Sequence, residues 1–129
     1  MESVVTERPA ADVQAVALKA FGRISDAWAL TVHEAAALAD MSDSTWKRAR
    51  KRGFAGALTR DQTLRLSALV GLYKALALYF DPPLAHQWVK LPNRGPEFHG
   101  ARPLDVMIEG GLPKILRVRS YVDALRGGV

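Results

Sequence analysis

The densest chemistry in the chain is cationic: Lys47, Arg48, Arg50, Lys51 and Arg52 fall within six positions. Such a cluster gathers counter-ions and attracts phosphates. Read structurally, the same run is a helix end, where cations sit favourably in the helix dipole. On charge alone the two readings stand level. Other chemistries find no support. His33, His86 and His99 have no carboxylate or second histidine at metal-ligand spacing. Ser3, Ser25, Ser42, Ser44, Ser67 and Ser120 lack a nucleophile-elbow context, and Gly53-Phe54-Ala55-Gly56 is not a phosphate loop. There is no cysteine to act as a nucleophile, disulfide partner or zinc ligand. Neither an enzyme nor a resident cofactor or metal is expected. Trp28, Trp46 and Trp88 each fall on an apolar helical face, so they read as core.

The elements that must position the cluster are all helical. Val13, Val16, Ala17, Ala20 and Phe21 recur at helical spacing from Pro9 and predict a helix stopping at Gly22. The segment Met1 to Arg8 is expected to fray. Thr31 and Glu34 form a capping box opening a short alanine-rich helix through Ala39. Ser42 or Asp43 caps another helix that is predicted to reach Arg52. Thr59 and Gln62 offer a second capping box, and the long helix to Phe80 is apolar on most sides, as a central buried helix should be. Asp81-Pro82 has the form of an N-cap followed by a first-turn proline. Residues 92–102 read as a loop. Pro103 starts a short helix ending at Gly110-Gly111, and Pro113 starts the last one, with Ile115, Leu116, Val118, Val122 and Leu125 on its apolar side. No strand or repeat is evident, so the fold class is all-α.

Two short helices joined by a three- or four-residue break are the skeleton of a helix-turn-helix. Counted from Val32, its buried positions fall on Ala35, Ala39, Met41, Trp46 and Ala49, all apolar, with the small Ala36 at the crossing. Asp40 stands where a turn favours glycine; it tolerates the left-handed conformation, though less well. A reading head of this kind lays its second helix in the major groove. Ser42, Ser44, Thr45, Lys47 and Arg48 would then face DNA, with Lys51 and Arg52 near phosphates. Asp43 at the tip would repel phosphate unless it accepts from a cytosine amino group. The alternative is a helix hairpin that merely packs.

The C-terminal half has no DNA-reading element. Its layout runs from Asn93-Arg94 behind a helix carrying Trp88, through a loop, to Pro103-Leu104-Asp105 opening a helix, then Gly110-Gly111, then a final helix ending in Arg126-Gly127. This layout resembles the toxin-binding domain of the Xre/MbcA/ParS antitoxins, and Ser42-Asp43-Ser44-Thr45-Trp46-Lys47-Arg48 is similar to the helix-turn-helix those antitoxins carry. The resemblance spans about residues 15–128. It implies a type II antitoxin whose partner is a RES-domain toxin, an NAD-consuming protein of ADP-ribosyltransferase-like fold, and which covers the toxin's NAD pocket with its C-terminal domain and tail. Many such chains also repress their own operon; some bind DNA poorly.

In that role Arg117 and Tyr121, four apart on one helical face, and Arg126 offer cations and a ring to a pocket that holds a pyrophosphate. Gly127, Gly128 and Val129 form a tail slender enough to thread it. Against this, the arginines are solvated and the glycines only stop a helix. Asn93 and Arg94 would touch the toxin, or Asn93 caps its neighbouring helix. Asp105 is read as stabilising a helix N-terminus. The organisation expected is a frayed 1–14, a helix-turn-helix module over 15–80 and a toxin-binding module over 81–129.

Bulk properties agree with that organisation. A length of 129 residues suits one domain or two intimately fused modules, and 49% hydrophobic residues suffice for a core. The net charge of +5 divides: residues 31–65 carry seven basic and four acidic side chains, residues 66–129 eight and five. No apolar run approaches the ~18 residues of a membrane span, and Met1-Glu2-Ser3 does not open a signal peptide. The expectation is a cytoplasmic protein without a membrane partner. The apolar excess of the 59–80 helix, Leu78 included, predicts a homodimer that sets two reading heads about 34 Å apart.

Overall fold

The computed structural model describes residues 10–126, all of whose regular elements are helical. The expected frayed start, Met1 to Arg8, and the tail residues Gly127, Gly128 and Val129 lie outside the described residues.

Helix α1 (Ala10–Ala27) buries Leu18, Phe21 and Ile24 along one stripe, and Trp28 just past its end is buried as well. It does not stop at Gly22. The chain turns only at Ala29, whose φ of 54° is left-handed. Gly22 serves a tertiary contact instead: the Arg50 guanidinium lies over it, donating to its carbonyl at 3.0 Å, and a Cβ there would stand 3.3 Å from the guanidinium nitrogens.

Helix α2 (Val32–Ala39) opens on the expected capping box, with Thr31 and Glu34 each accepting from the other's backbone N–H at 3.0 and 2.9 Å. Helix α3 (Asp43–Ala49) is capped by Ser42 and ends three residues short of the expected Arg52. Arg50 has turned back onto α1, and the turn closes at Gly53 with φ 81°. Helix α4 (Arg60–Tyr79) begins on the second capping box, Thr59 with Gln62. It buries Leu66, Ala68, Leu69, Leu72, Ala75 and Leu76 and packs against α1, α2 and both later helices.

Helix α5 (Leu84–Gln87) departs from expectation: Pro83 occupies the cap position without a side-chain bond, and Asp81 contributes only its carbonyl, which accepts from Ala85 N–H at 3.1 Å. A single 3-10 turn (Trp88–Lys90) follows and buries Trp88 and Val89. Helix α6 (Pro103–Arg126) is two helices joined at Gly111, as the Gly110-Gly111 pair predicts. Leu104, Met107, Ile115, Val118 and Val122 are buried against α4, whereas Leu116, expected on the apolar side, is 46% exposed.

Gly111 sits at φ 68°, ψ −158°, a region essentially closed to side chains. A Cβ there would also meet the Arg65 guanidinium at 3.1 Å. Gly111→Ala is therefore expected to cost about 1–3 kcal/mol in a urea unfolding curve. The neighbouring Gly110 lacks the positive φ, but a Cβ there would come within 2.5 Å of Lys114 Cβ, which is fixed to the backbone, so this glycine is needed for close approach.

Candidate nucleic-acid and partner-binding faces

The α2–α3 pair forms a closed unit. Ala35, Ala36, Ala39, Trp46 and Ala49 are buried as expected, and Met41 is half-buried. Asp40 takes the left-handed conformation the turn requires, φ 59° and ψ 49°. Met41 N–H then donates to Ala36 O at 2.9 Å, closing the end of α2. The Trp46 ring lies 5.2 Å from Phe21, and the Arg50 guanidinium sits 5.6 Å above it. Arg50 also forms a two-pronged pair with Asp26 at 2.9 and 3.1 Å. That hydrogen-bonded partner holds the Asp26 carboxyl below the usual carboxylate range, against the opposing effect of desolvation. One cation of the 47–52 cluster therefore braces the helix-turn-helix against α1.

The outward side of α3 carries the other predicted residues. Ser42, Ser44, Lys47, Arg48 and Lys51 are exposed, and Thr45 is half-buried. The three hydroxyls meet locally: Ser42 Oγ accepts from Thr45 N–H at 3.1 Å, donates to Thr45 Oγ1 at 2.9 Å and lies 3.3 Å from Ser44 Oγ. Arg48 also donates to Thr45 Oγ1, at 3.3 Å. Lys47 and Lys51, with the exposed but locally bonded Ser44 and Arg48, make a short cationic strip of the type that engages phosphates and base edges. His33, not expected at this face, places Nδ1 3.2 Å from Asp43 Oδ1. The acidic tip of α3 thus has an imidazole beside it. A ten-residue separation across a turn gives no local signal for that pair.

A second face forms where the 93–98 loop meets the last helix. Asn93 does not cap a helix. Its Oδ1 accepts from Gly95 N–H at 2.7 Å, while its backbone pairs with Ala101 and Gly100 at 3.1 and 2.7 Å, so it shapes its own loop. Tyr121 is the opposite wall, with its ring 5.2 Å from Phe98 and 6.4 Å from Trp88. A Cβ on Gly95 would come within 2.8 Å of the Tyr121 hydroxyl and 3.0 Å of Asn93 Oδ1. Gly95 is what allows the loop to approach. Lys114 pairs with Glu97 at 3.1 Å and pins the loop to the helix. Between them lies an open cleft of about 380 Å³ lined by Pro96, Glu97, Leu116, Arg117, Ser120 and Tyr121. Asn93, Arg117 and Tyr121 are thus brought to one face. Arg94 and Arg117 are exposed and have no ion-pair partner among the described residues. Arg126 lies at the end of α6, and Gly127, Gly128 and Val129 are not described.

A bridge that sequence reasoning missed links the two faces. Arg102 makes a two-pronged bond to Asp105, both arms at 2.8 Å, and reaches Glu34 of the α2 capping box at 3.6 Å. Asp105 therefore stands in the first turn of α6, as expected, but its main partner is a side chain. The hydrogen bond to Arg102 lowers the Asp105 pKa, with desolvation opposing; the same bond raises that of Arg102.

Comparison with known proteins follows this division. Residues 7–71 match the family of antitoxin Xre-like helix-turn-helix domains, and residues 74–128 match the antitoxin Xre/MbcA/ParS C-terminal toxin-binding domain. The chain is 39% identical over 113 residues to "Uncharacterized protein y4oB" of Sinorhizobium fredii (strain NBRC 101917 / NGR234), covering 86% of this chain and 84% of that one. No solved structure matches it. Among the described residues no helix is long and apolar enough to cross a membrane, and no group of potential ligands could hold a metal ion. With its helix-turn-helix in front and its toxin-binding domain behind, the chain belongs to the Xre/MbcA/ParS-type antitoxins of toxin–antitoxin systems.

Proposed function

We propose that the toxin is a RES-domain, NAD-consuming protein, and that this antitoxin neutralises it by laying the 93–98 loop and the last helix over the NAD pocket. The observation that carries the reading is the juxtaposition on one cleft of Leu116, 46% exposed, with Arg117, which has no ion-pair partner among the described residues, and the Tyr121 ring, itself backed by the buried Phe98. An exposed apolar residue beside an arginine and a packed tyrosine has the composition of an interface centre. Asn93 and Arg94 flank the contact, and Arg126, Gly127, Gly128 and Val129 supply the segment that enters the pocket. The units proposed are residues 15–80 for DNA and 81–129 for toxin, in a cytoplasmic complex. Co-expression with the product of the neighbouring gene tests the reading: the pair should co-purify and growth should be restored. A RES-domain neighbour that neither co-purifies nor is neutralised would overturn it.

The same chain is proposed to bind operator DNA through Ser42, Ser44, Thr45, Lys47, Arg48 and Lys51 of α3. Charge complementarity of that strip with phosphate supports this. Lys47→Glu with Arg48→Glu is expected to weaken operator binding by about a hundredfold or more at moderate salt, in a fluorescence-anisotropy titration. Toxin neutralisation should be unaffected. Unchanged DNA affinity would instead make the helix-turn-helix a purely structural unit. A homodimer is proposed through the exposed apolar side of α4, where Leu78 is 71% and Leu64 43% exposed. Sedimentation should then show a concentration-dependent dimer without toxin.

A further inference from the structure

A hollow larger than the toxin-face cleft adjoins the α3 strip, with which it shares Lys51. It lies between α1 and the segment 49–57 that follows α3, and has a volume of about 780 Å³. Small-molecule sites typically measure ~300–1,000 Å³. Its residues divide by chemistry. Leu18, Ala49 and Phe54 supply apolar surface, while Lys19, Arg23, Lys51 and Arg52 stand around it together with Arg50. Among the described residues no carboxylate lines it. Arg50 is already committed to Asp26. The other four cations have no ion-pair partner among the described residues. These four exposed cations line one hollow, and an anion bound there would offset their mutual repulsion.

The apolar part is built as deliberately as the charge. Phe54 is half-buried, and its ring packs onto the backbone of Gly56, where a Cβ would come within 2.4 Å of it. Gly56 thus fixes the ring across the cavity wall. At the other end Gln14 Oε1 accepts from Leu58 N–H at 3.4 Å and ties the segment back to α1. A flat group can lie on Phe54 while a charged tail reaches the cations. From this geometry we infer that the hollow between α1 and residues 49–57 is a binding site for a nucleoside phosphate of about nucleoside diphosphate size.

A duplex is the other phosphate source, and the shape argues against it. DNA presents a convex backbone to the protein, whereas Leu18 and Phe54 line a concave hollow that shares only Lys51 with the α3 strip. The proposal needs neither toxin nor operator, so it stands or falls apart from the reading above.

The test is calorimetric titration of ADP, as probe, into the full-length chain without DNA or toxin. Saturable one-to-one binding in the micromolar range is expected, with inorganic pyrophosphate binding at least tenfold more weakly. Arg23→Ser with Arg52→Ser should weaken ADP by about tenfold or more, since each arginine contributes a charge-assisted bond. Phe54→Ala should lower ADP affinity while leaving that of pyrophosphate unchanged. Lys47→Glu should leave ADP binding as it was. Thermal melting of each variant shows whether the fold is retained, and the exposed Arg23 and Arg52 have no partner in the fold to lose. Absence of binding at millimolar ADP overturns the proposal, as does equal affinity for pyrophosphate and ADP. Loss of operator binding in Arg23→Ser with Arg52→Ser, without any ADP binding, would assign the cations to duplex phosphates instead.

Discussion

Trp46→Ala is expected to release α3 from the body of the protein. The indole is 1% exposed, lies 5.2 Å from the Phe21 ring and supports Arg50 at 5.6 Å. Truncating a buried tryptophan to alanine costs about 3–5 kcal/mol, a large part of the 5–15 kcal/mol that holds a domain folded. The local effect is sharper still. Helix α3 is seven residues long, far too short to persist unaided. Its other buried side chain is the small Ala49. The urea midpoint should fall steeply, and the amides of α3 should lose hydrogen-exchange protection earlier than those of α4. The operator binding proposed for α3 should disappear with them. Trp46→Phe, which keeps a ring against Phe21, should recover a substantial part of the loss. A Trp46→Ala protein with wild-type midpoint would mean that α3 is held by something other than its tryptophan.

The second large effect is functional and leaves the fold alone. Leu116→Asp with Arg117→Glu puts two negative charges where the proposed toxin contact has an apolar side chain and a cation. Leu116 is 46% exposed, and Arg117 is exposed without an ion-pair partner among the described residues, so stability should move by only about 0.5 kcal/mol. Central interface residues typically carry 2 kcal/mol or more each, and reversed charges add repulsion. Toxin affinity should therefore drop by a thousandfold or more, on the order of 4 kcal/mol. Co-purification should fail and growth arrest should return. Neutralisation equal to that of the parent would place the toxin contact elsewhere on the chain.

What could be read in advance depended on the range of the interaction. Both capping boxes were legible because Thr31 with Glu34 and Thr59 with Gln62 close over three residues. The alternation of small and large residues around Asp40 likewise predicts the α2–α3 crossing, and Gly110-Gly111 the break in α6. The errors came from residues whose partners are distant. Gly22 looks like a helix stop, but its missing side chain makes room for Arg50, 28 positions away. Arg50 in turn looks like one more surface cation, yet it is engaged with Asp26. Asp81-Pro82 has the letters of a cap, but the following Pro83 takes that position and no side-chain bond forms. Asn93 at the candidate toxin face was picked out by resemblance, whereas its bond to Gly95 and the approach of Tyr121 emerge only from tertiary packing.

The helix α4 has a bearing on how such a protein can diversify. The match to the helix-turn-helix family ends at residue 71 and that to the toxin-binding family begins at residue 74, both within this one 20-residue helix. No flexible linker separates the two specificities. Each residue inserted or deleted at that seam turns everything beyond it by about 100° and shifts it by about 1.5 Å. Grafting another antitoxin's toxin-binding half onto this helix-turn-helix module must therefore keep the residue count through α4 unchanged. It must also match Glu34 with an arginine able to reach it, as Arg102 does here. New pairings of helix-turn-helix and toxin-binding domains can arise by in-register exchange or by point substitution, but not by splicing at arbitrary lengths.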